Sequence, residues 1–444
     1  MDRPARSAGA SGVGAREAGR DVGAQSMAER IMVVGHGATT CLGRDMEATW
    51  AGLIAGRSGI ARHPELDPER FLVDLGGMVG RPGLDGEAED PAIARLGAKS
   101  IHMALAATKS AWADAGLDRA EGIDPDRVAV VIGSAFGGMD LHEEEATRSA
   151  RRKGLSASPY LVPGLLINQV AGQVAQHLGA HGPSVAPANA CATGGHAIAL
   201  AAMFLRAGEA DLVVCGGTES AFTPLLVNGF ATMKALVGRR AGDRSQADPA
   251  QASRPFSADR AGFVMSEGAG MLVLATEAAT KKFGLIPQAE LAGWALNSDG
   301  YHMAMPNGAT IERCLARALG HAGMEPGEVD YYNAHGTSTP VNDRVETLAI
   351  KHVFGDHARR LPISSIKGAL GHGLGAASAI EAAVCVRTLR EQVIPPTINY
   401  LPDAELDLDY VPDRARPAPV RAVMSASFGF GGTNNALIFR KGDR

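Results

Sequence analysis

PSVAPANACATGGHAIALAAMFLRAGEADLVV (residues 183–214) and LPISSIKGALGHGLGAASAIEAAVCVRTLREQVIP (residues 361–395) are written on one plan. Each reads as a short strand, a tight turn lined by small residues, and then a helix rich in Ala and Gly and poor in charge. Two halves on one plan fit an internally duplicated α/β fold. Strand–turn–helix is common, so the echo alone carries little weight. The rest of the chain extends it. IMVVGHG (31–37), RVAVVIGSAFGG (127–138), DLVVCGG (211–217) and GMLVLAT (270–276) are short apolar runs that end at or near glycine or begin from it. VDYYNAHG (329–336), RAVMSASFGFGG (421–432) and NALIFR (435–440) continue the series. RLGAKSIHMALAATKSAWADAG (95–116) repeats apolar residues every three or four positions, as a helix does. Buried-looking strands interleaved with helices predict α/β layering, with parallel sheet covered on both faces.

The chain has 444 residues, which predicts two domain-sized units. Residues 1–29 are Ala, Gly, Ser, Arg and Asp with almost nothing to bury, and read as a disordered tail; Met27 is an alternative start. Residues 30–280 and 281–444 would be the two halves. The stretch 238–260, rich in Arg, Asp, Ala and Ser, reads as a long surface loop. Net charge is −5, which argues against nucleic acid or an anionic membrane held by bulk charge. No run of 18 apolar residues appears, so no membrane span is expected. Five cysteines without a CxxC pair argue against a disulfide framework and a cysteine zinc site, and the default is a reducing cytoplasm.

Cys191 follows five small or turn-forming residues and opens a small-residue helix. A thiol there meets the positive end of the helix dipole and free N–H groups, which favour thiolate. The plain alternative is a buried structural thiol, the reading given to Cys215 and Cys385. His335 sits on a glycine turn after VDYYNA, and His372 lies between a strand and the second small-residue helix. Both are placed to reach a cleft, though most histidines are surface or satisfied core residues. No HExxH motif and no carboxylate at ligand spacing accompanies them, so no metal is expected. Lys367 closes an apolar strand; Glu381, on an otherwise apolar helix face, needs a partner. GHGLGAAS (371–378) breaks the GxGxxG spacing of a dinucleotide loop, the chain lacks a Walker GK[ST], and no GxSxG occurs.

Taken together, NACATGGHA (189–197), RPFSADRAGFVMSEGAG (254–270), NSDGYHM (297–303), NAHGTSTPVND (333–343), SSIKGALGHGLGAAS (364–378), PPTIN (395–399) and SFGFGGTNNALIF (427–439) resemble the elongating β-ketoacyl-[acyl-carrier-protein] synthases. These belong to the thiolase-fold superfamily, and the resemblance runs from about Ile31 to the C-terminus. It implies a duplicated α-β-α-β-α layered fold and a dimer. It implies that Cys191 receives the acyl group, and that His335 and His372 surround the malonyl thioester and stabilise its enolate. Lys367 would order the site through Glu381. The loop of Phe428 and Phe430 would supply, with the Cys191 N–H, the oxyanion hole and a gate. Thr337 and Thr339 would hold the phosphopantetheine arm. Phe136 would stand in the acyl pocket, and its bulk predicts short primers. No cofactor is implied beyond the phosphopantetheine of an acidic acyl carrier protein. The partners would be that carrier and a second copy of the chain, with a chain-length-factor-like homologue as the alternative.

The chemistry asks for these residue types in its own right. Acyl transfer needs a nucleophile that also leaves well, which favours sulfur. Decarboxylation of a thioester puts charge on its oxygen, which aimed donors stabilise. The chain departs from the family pattern at Ala188-Asn189-Ala190, Leu370 and Ser425-Ala426, where a change in acyl selection is the expected effect. A degradative thiolase would need a second reactive cysteine, and Cys314 and Cys385 lie in helical text. A non-catalytic scaffold would have no use for the four polar residues.

Overall fold

The computed structural model describes residues 29–64, 66–80, 98–152, 157–238 and 248–442. The proposed tail falls almost wholly outside them, as does much of the polar segment that begins at 238.

The first half contributes β1 (Ile31–Thr39), a two-residue pair β2 (Ala61–Arg62) and β3 (Leu75–Gly76), then β4 (Val128–Gly133), β5 (Ser184–Val185), β6 (Leu212–Glu219) and β7 (Gly268–Thr276). The second contributes β8 (Ala289–Ser298), β9 (Tyr331–Asn333), β10 (Ile363–Ser364), a second small pair β11 (Val393–Ile394) and β12 (Arg416–Pro417), then β13 (Ala422–Gly429) and β14 (Thr433–Arg440). Ten of these strands run in the order β10-β9-β13-β14-β8-β1-β7-β6-β4-β5. The order is the same in each half when read outward from the centre. β1 matches β8, β7 matches β14, β6 matches β13, β4 matches β9 and β5 matches β10. The halves meet where β1 and β8 pair at just two positions, Met32 with Glu290 and Val33 with Ala289.

Within each half the outer three strands are parallel and the inner ones antiparallel. The sheet is therefore mixed, which corrects the expectation of a parallel one. Continuous apolar strands show that both faces are covered, but not which way a strand runs, because burial does not depend on polarity.

Alternation along the strands separates the layers. Ala129 and Val131 of β4 face the centre, where they join Val213, Leu274, Val423 and Leu437 in one core. Val128, Val130 and Ile132 face outward into a second core, against the helix Lys99–Asp114. Tyr332, Met424 and Ile438 face outward from the other half into a third, against the helix Gly308–Ala322. Helices Thr193–Arg206 and Ala377–Glu391, the two small-residue helices, fill the centre. The result is five layers, α-β-α-β-α. Small residues there let helix and sheet approach closely: a Cβ on Gly194 would stand 2.6 Å from the Ala379 nitrogen, and one on Gly270 2.3 Å from the Ile380 nitrogen.

The segment expected to be a surface loop behaves otherwise in its described part. Ser253, Arg254, Phe256 and Ser257 are buried. The Arg254 guanidinium is satisfied there by the Gln251 and Asp259 carbonyls, each at 2.9 Å. Polar composition misled, because backbone oxygens took the place of water.

Candidate active site

Both inner helices begin from the same kind of turn. Ala190–Ala192 and Leu374–Ala376 are single 3₁₀ turns, and each opens on a non-glycine residue with positive φ: Ala190 at 50° and Leu374 at 47°. Such strain persists where the surroundings enforce it. At Ala190 it presents the next residue, Cys191, to the cavity. Thr193 holds the turn, accepting from the Asn189 N–H at 2.8 Å and donating to the Ala190 carbonyl at 2.7 Å.

Cys191, His335 and His372 converge on one cavity of about 570 Å³. Their ligating atoms all lie within 4.8 Å of one another. His372 Nε2 is 3.0 Å from Cys191 Sγ. The two imidazole rings meet edge to face, 5.4 Å apart at 85°. Phe263 backs His372 and Phe428 backs His335, both edge to face. Nδ1 of each ring is buried without a partner among the described residues, so hydrogen-bonding capacity remains there at both.

Lys367 stands behind this group, 2% exposed, and pairs with Glu381, which also accepts from Ser427 Oγ at 3.2 Å. It opens the short helix Lys367–Leu370 rather than closing a strand, because β10 stops at Ser364. Burial, then the Lys367 charge, holds both histidines well below the ordinary imidazole range. Burial also pushes the Cys191 thiol up to about 11, against the pull of Lys367 and of the Phe430 and Cys191 N–H groups. Burial thus opposes the helix-start thiolate expected from the sequence, while Lys367 and the two N–H groups favour it. Desolvation of a buried group works against its charged form, so burial favours the neutral thiol and the neutral imidazole here.

Phe430 lines the cavity, and its N–H and that of Cys191 point at the sulfur. Gly429 makes this approach possible, since a Cβ there would lie 2.8 Å from the Asn189 oxygen. Thiol and imidazoles are also a metal-ligand set, but donors aimed at the sulfur suit an anion there rather than a cation. Thr337 and Thr339 share a hydrogen bond of 2.9 Å between their hydroxyls and line the same cavity. Phe136 lies on its wall, edge to face with Phe230 at 6.3 Å, and Phe230 touches Phe263 and Phe430 in turn. Cys314 and Cys385 are buried on helices and Cys215 on β6, all away from the cavity wall.

Two carboxylates missed by the sequence reading hold the His335 turn. Glu346 accepts the His335 and Gly336 N–H groups, both at 2.8 Å, and Asp343 accepts those of Thr337 at 3.0 Å and Phe256 at 2.8 Å. Their signal was two acids three apart at the start of the helix Pro340–Phe354, on the face that turns inward.

A buried thiol, two imidazoles and two aimed N–H groups in a duplicated five-layer fold are the makings of an acyl-transferring condensing enzyme. The comparisons agree. Residues 28–279 match the model of the β-ketoacyl synthase N-terminal domain and residues 288–401 that of the C-terminal domain. The chain belongs to the β-ketoacyl synthase family. It is 39% identical to 3-oxoacyl-[acyl-carrier-protein] synthase 2 of Synechocystis sp. over 93% of this chain and 98% of that protein. It is 38% identical to the protein of that name from Coxiella burnetii, with the same coverage. Among solved structures, a β-ketoacyl synthase from Burkholderia phymatum superposes with a TM-score of 0.84 at 31% identity, over 94% of this chain and all of that one. A type II polyketide ketosynthase, bound to a hexaketide and in complex with its acyl-carrier protein, gives 0.83 at 32% over the same shares. Among the described residues no helix is long and apolar enough to cross a membrane.

Proposed function

We propose that this chain condenses an acyl group held on Cys191 with malonyl-carrier protein, in fatty-acid or type II polyketide or polyene biosynthesis. The observation that carries it is the Cys191 Sγ–His372 Nε2 contact of 3.0 Å, with His335 alongside, on the wall of one cavity. Cys191 attacks the acyl thioester, and the phosphopantetheine thiol leaves with the proton. The oxyanion rests on the N–H groups of Cys191 and Phe430. Malonyl thioester then enters over Thr337 and Thr339 and loses carbon dioxide. The enolate oxygen is stabilised by hydrogen bonds from His335 and His372, and its carbon attacks the acyl-Cys191 carbonyl. Product leaves as the 3-oxoacyl thioester and the sulfur is freed. Burial, and then the charge of Lys367 held by Glu381, keeps both imidazoles neutral and so able to donate without being charged. No resident cofactor enters any step. Intact-protein mass after incubation with acyl-carrier protein tests the reading: one acyl group on wild type, none on Cys191→Ala.

The working unit is a homodimer. The two ends of the sheet differ: β10 is buried, with its Ile363 N–H satisfied by Asp409, whereas β5 is exposed at both residues. Val185 on that edge is exposed, and so are Val162 and Leu166, which precede in the chain the helix Gln169–Leu178 that packs on β5. Among the described residues no strand pairs with the outer side of β5, and such an edge carrying exposed Val185 is a pairing surface, which a second copy fits. A cysteine-less homologue in that place is the outcome that would make a heterodimer. The carrier protein meets the cavity mouth, where Lys234 is exposed. All five cysteines are free, which fits a reducing cytoplasm.

A further inference from the structure

Glu219 is the last residue of β6, fully buried, and not on the cavity wall. Its carboxylate joins two turns. Ser134 Oγ donates to Oε1 at 3.0 Å, and the Ala135 N–H donates to Oε2 at 2.8 Å. Both belong to the turn after β4 that carries Phe136. The same turn is tightened by the Gly137 N–H, which donates to Ser134 Oγ at 2.9 Å. The Gly375 N–H donates to Oε2 at 3.2 Å, and it belongs to the turn that follows His372. The two turns are in backbone contact: a Cβ on Gly375 would lie 2.6 Å from the Ala135 nitrogen and 2.7 Å from Glu219 Oε2. An apolar residue in place of Glu219 would leave all three donors stranded. The acid is kept in place although burial pushes its carboxyl up to about 7.

We infer that Glu219 is a positioning residue which ties the acyl pocket to the catalytic histidine, so that an acyl chain pressing on Phe136 is registered at His372 through Ala135, Glu219 and Gly375. Close-packed backbone shifts as a unit rather than deforming smoothly. Acylation would then set the imidazole for the malonyl half-reaction, and chains of the wrong length would set it poorly. This rests on the ketosynthase reading, because it links that enzyme's two half-reactions.

The experiment uses the purified full chain with a panel of acyl-carrier proteins of increasing length. It reads acylation of Cys191 by mass, and carbon dioxide release from malonyl-carrier protein by the acylated enzyme. Glu219→Ala should still acylate but lose about 10- to 100-fold in condensation kcat with little change in KM, and its carbon dioxide release should no longer vary with the loaded chain. Glu219→Gln, whose amide oxygen can accept from Ala135 and Gly375 while its NH₂ reaches Ser134, should restore the length dependence and most of kcat. A lower melting temperature with wild-type length dependence in Glu219→Ala overturns the inference, as does Glu219→Gln failing as fully as Ala. Where Glu219→Ala does not fold, Ser134→Ala, which removes one bond, should blunt the length dependence; an unchanged profile overturns the inference equally. Wild type that acylates nothing overturns the ketosynthase reading instead.

Discussion

A thiol pushed up to about 11 and an imidazole held below its ordinary range form a neutral pair, and this sets how Cys191 responds to pH. Alkylation of Cys191 by iodoacetamide should climb through the alkaline range without levelling off near neutrality. Lys367→Met removes the positive charge that favours thiolate, so the climb should move to still higher pH, and a move downward would contradict the electrostatics. Cys191→Ala should abolish condensation yet keep malonyl decarboxylation, because both enolate donors remain. His335→Ala or His372→Ala should cost about 10²- to 10³-fold in decarboxylation, with the double variant little worse than either. Decarboxylation that survives loss of either ring reverses their assignment. Cys191, His335, His372 and Lys367 could be singled out because each is a reactive type on a turn or at a helix start in a distinctive motif. Glu219, Asp343 and Glu346 were not. Their partners are backbone N–H groups, which every residue except proline has, and only the fold says which ones arrive.

At the scale of elements, the short-primer expectation rests on the Phe136 turn, which lies on the cavity wall. Phe136 abuts Phe230, itself in ring contact with Phe263 and Phe430, so a longer chain directed to that wall would need a ring to yield. Phe136→Gly should raise acylation by medium and long acyl-carrier proteins about tenfold or more relative to short ones. Wild type loading long chains as readily as short would refute the short-primer reading. Apolar runs located the strands, and small-residue helices marked the centre. Strand direction and the buried course of Ser253–Ser257 were not legible, since both depend on which neighbours the chain meets.

For the whole molecule, the open β5 edge predicts a homodimer in light scattering at working concentration, and a monodisperse monomer would count against it. Lys234→Glu at the cavity mouth should raise KM for an acidic carrier protein while leaving kcat near wild type, and added salt should weaken the wild type in the same sense. Dialysis against a chelator should leave the condensation rate within about twofold, because thiol, imidazoles and backbone N–H groups between them supply every donor and acceptor the condensation uses. Loss of activity restored by zinc would contradict that.

Cys191 belongs to one repeat and both histidines to the other, and the repeats are joined by the short β1–β8 pairing, by the packing of each inner helix on the other repeat's sheet, and by ties such as that of Glu219 to Gly375. The gap between Cys191 and His372 is thus a gauge of how the repeats are seated. Gentle denaturation that lets one repeat slide on the other would part sulfur from imidazole while every helix is still wound. In a urea titration, acyl loading should fade before far-ultraviolet circular dichroism moves, so the enzyme would report its own loosening earlier than any spectrum of its secondary structure.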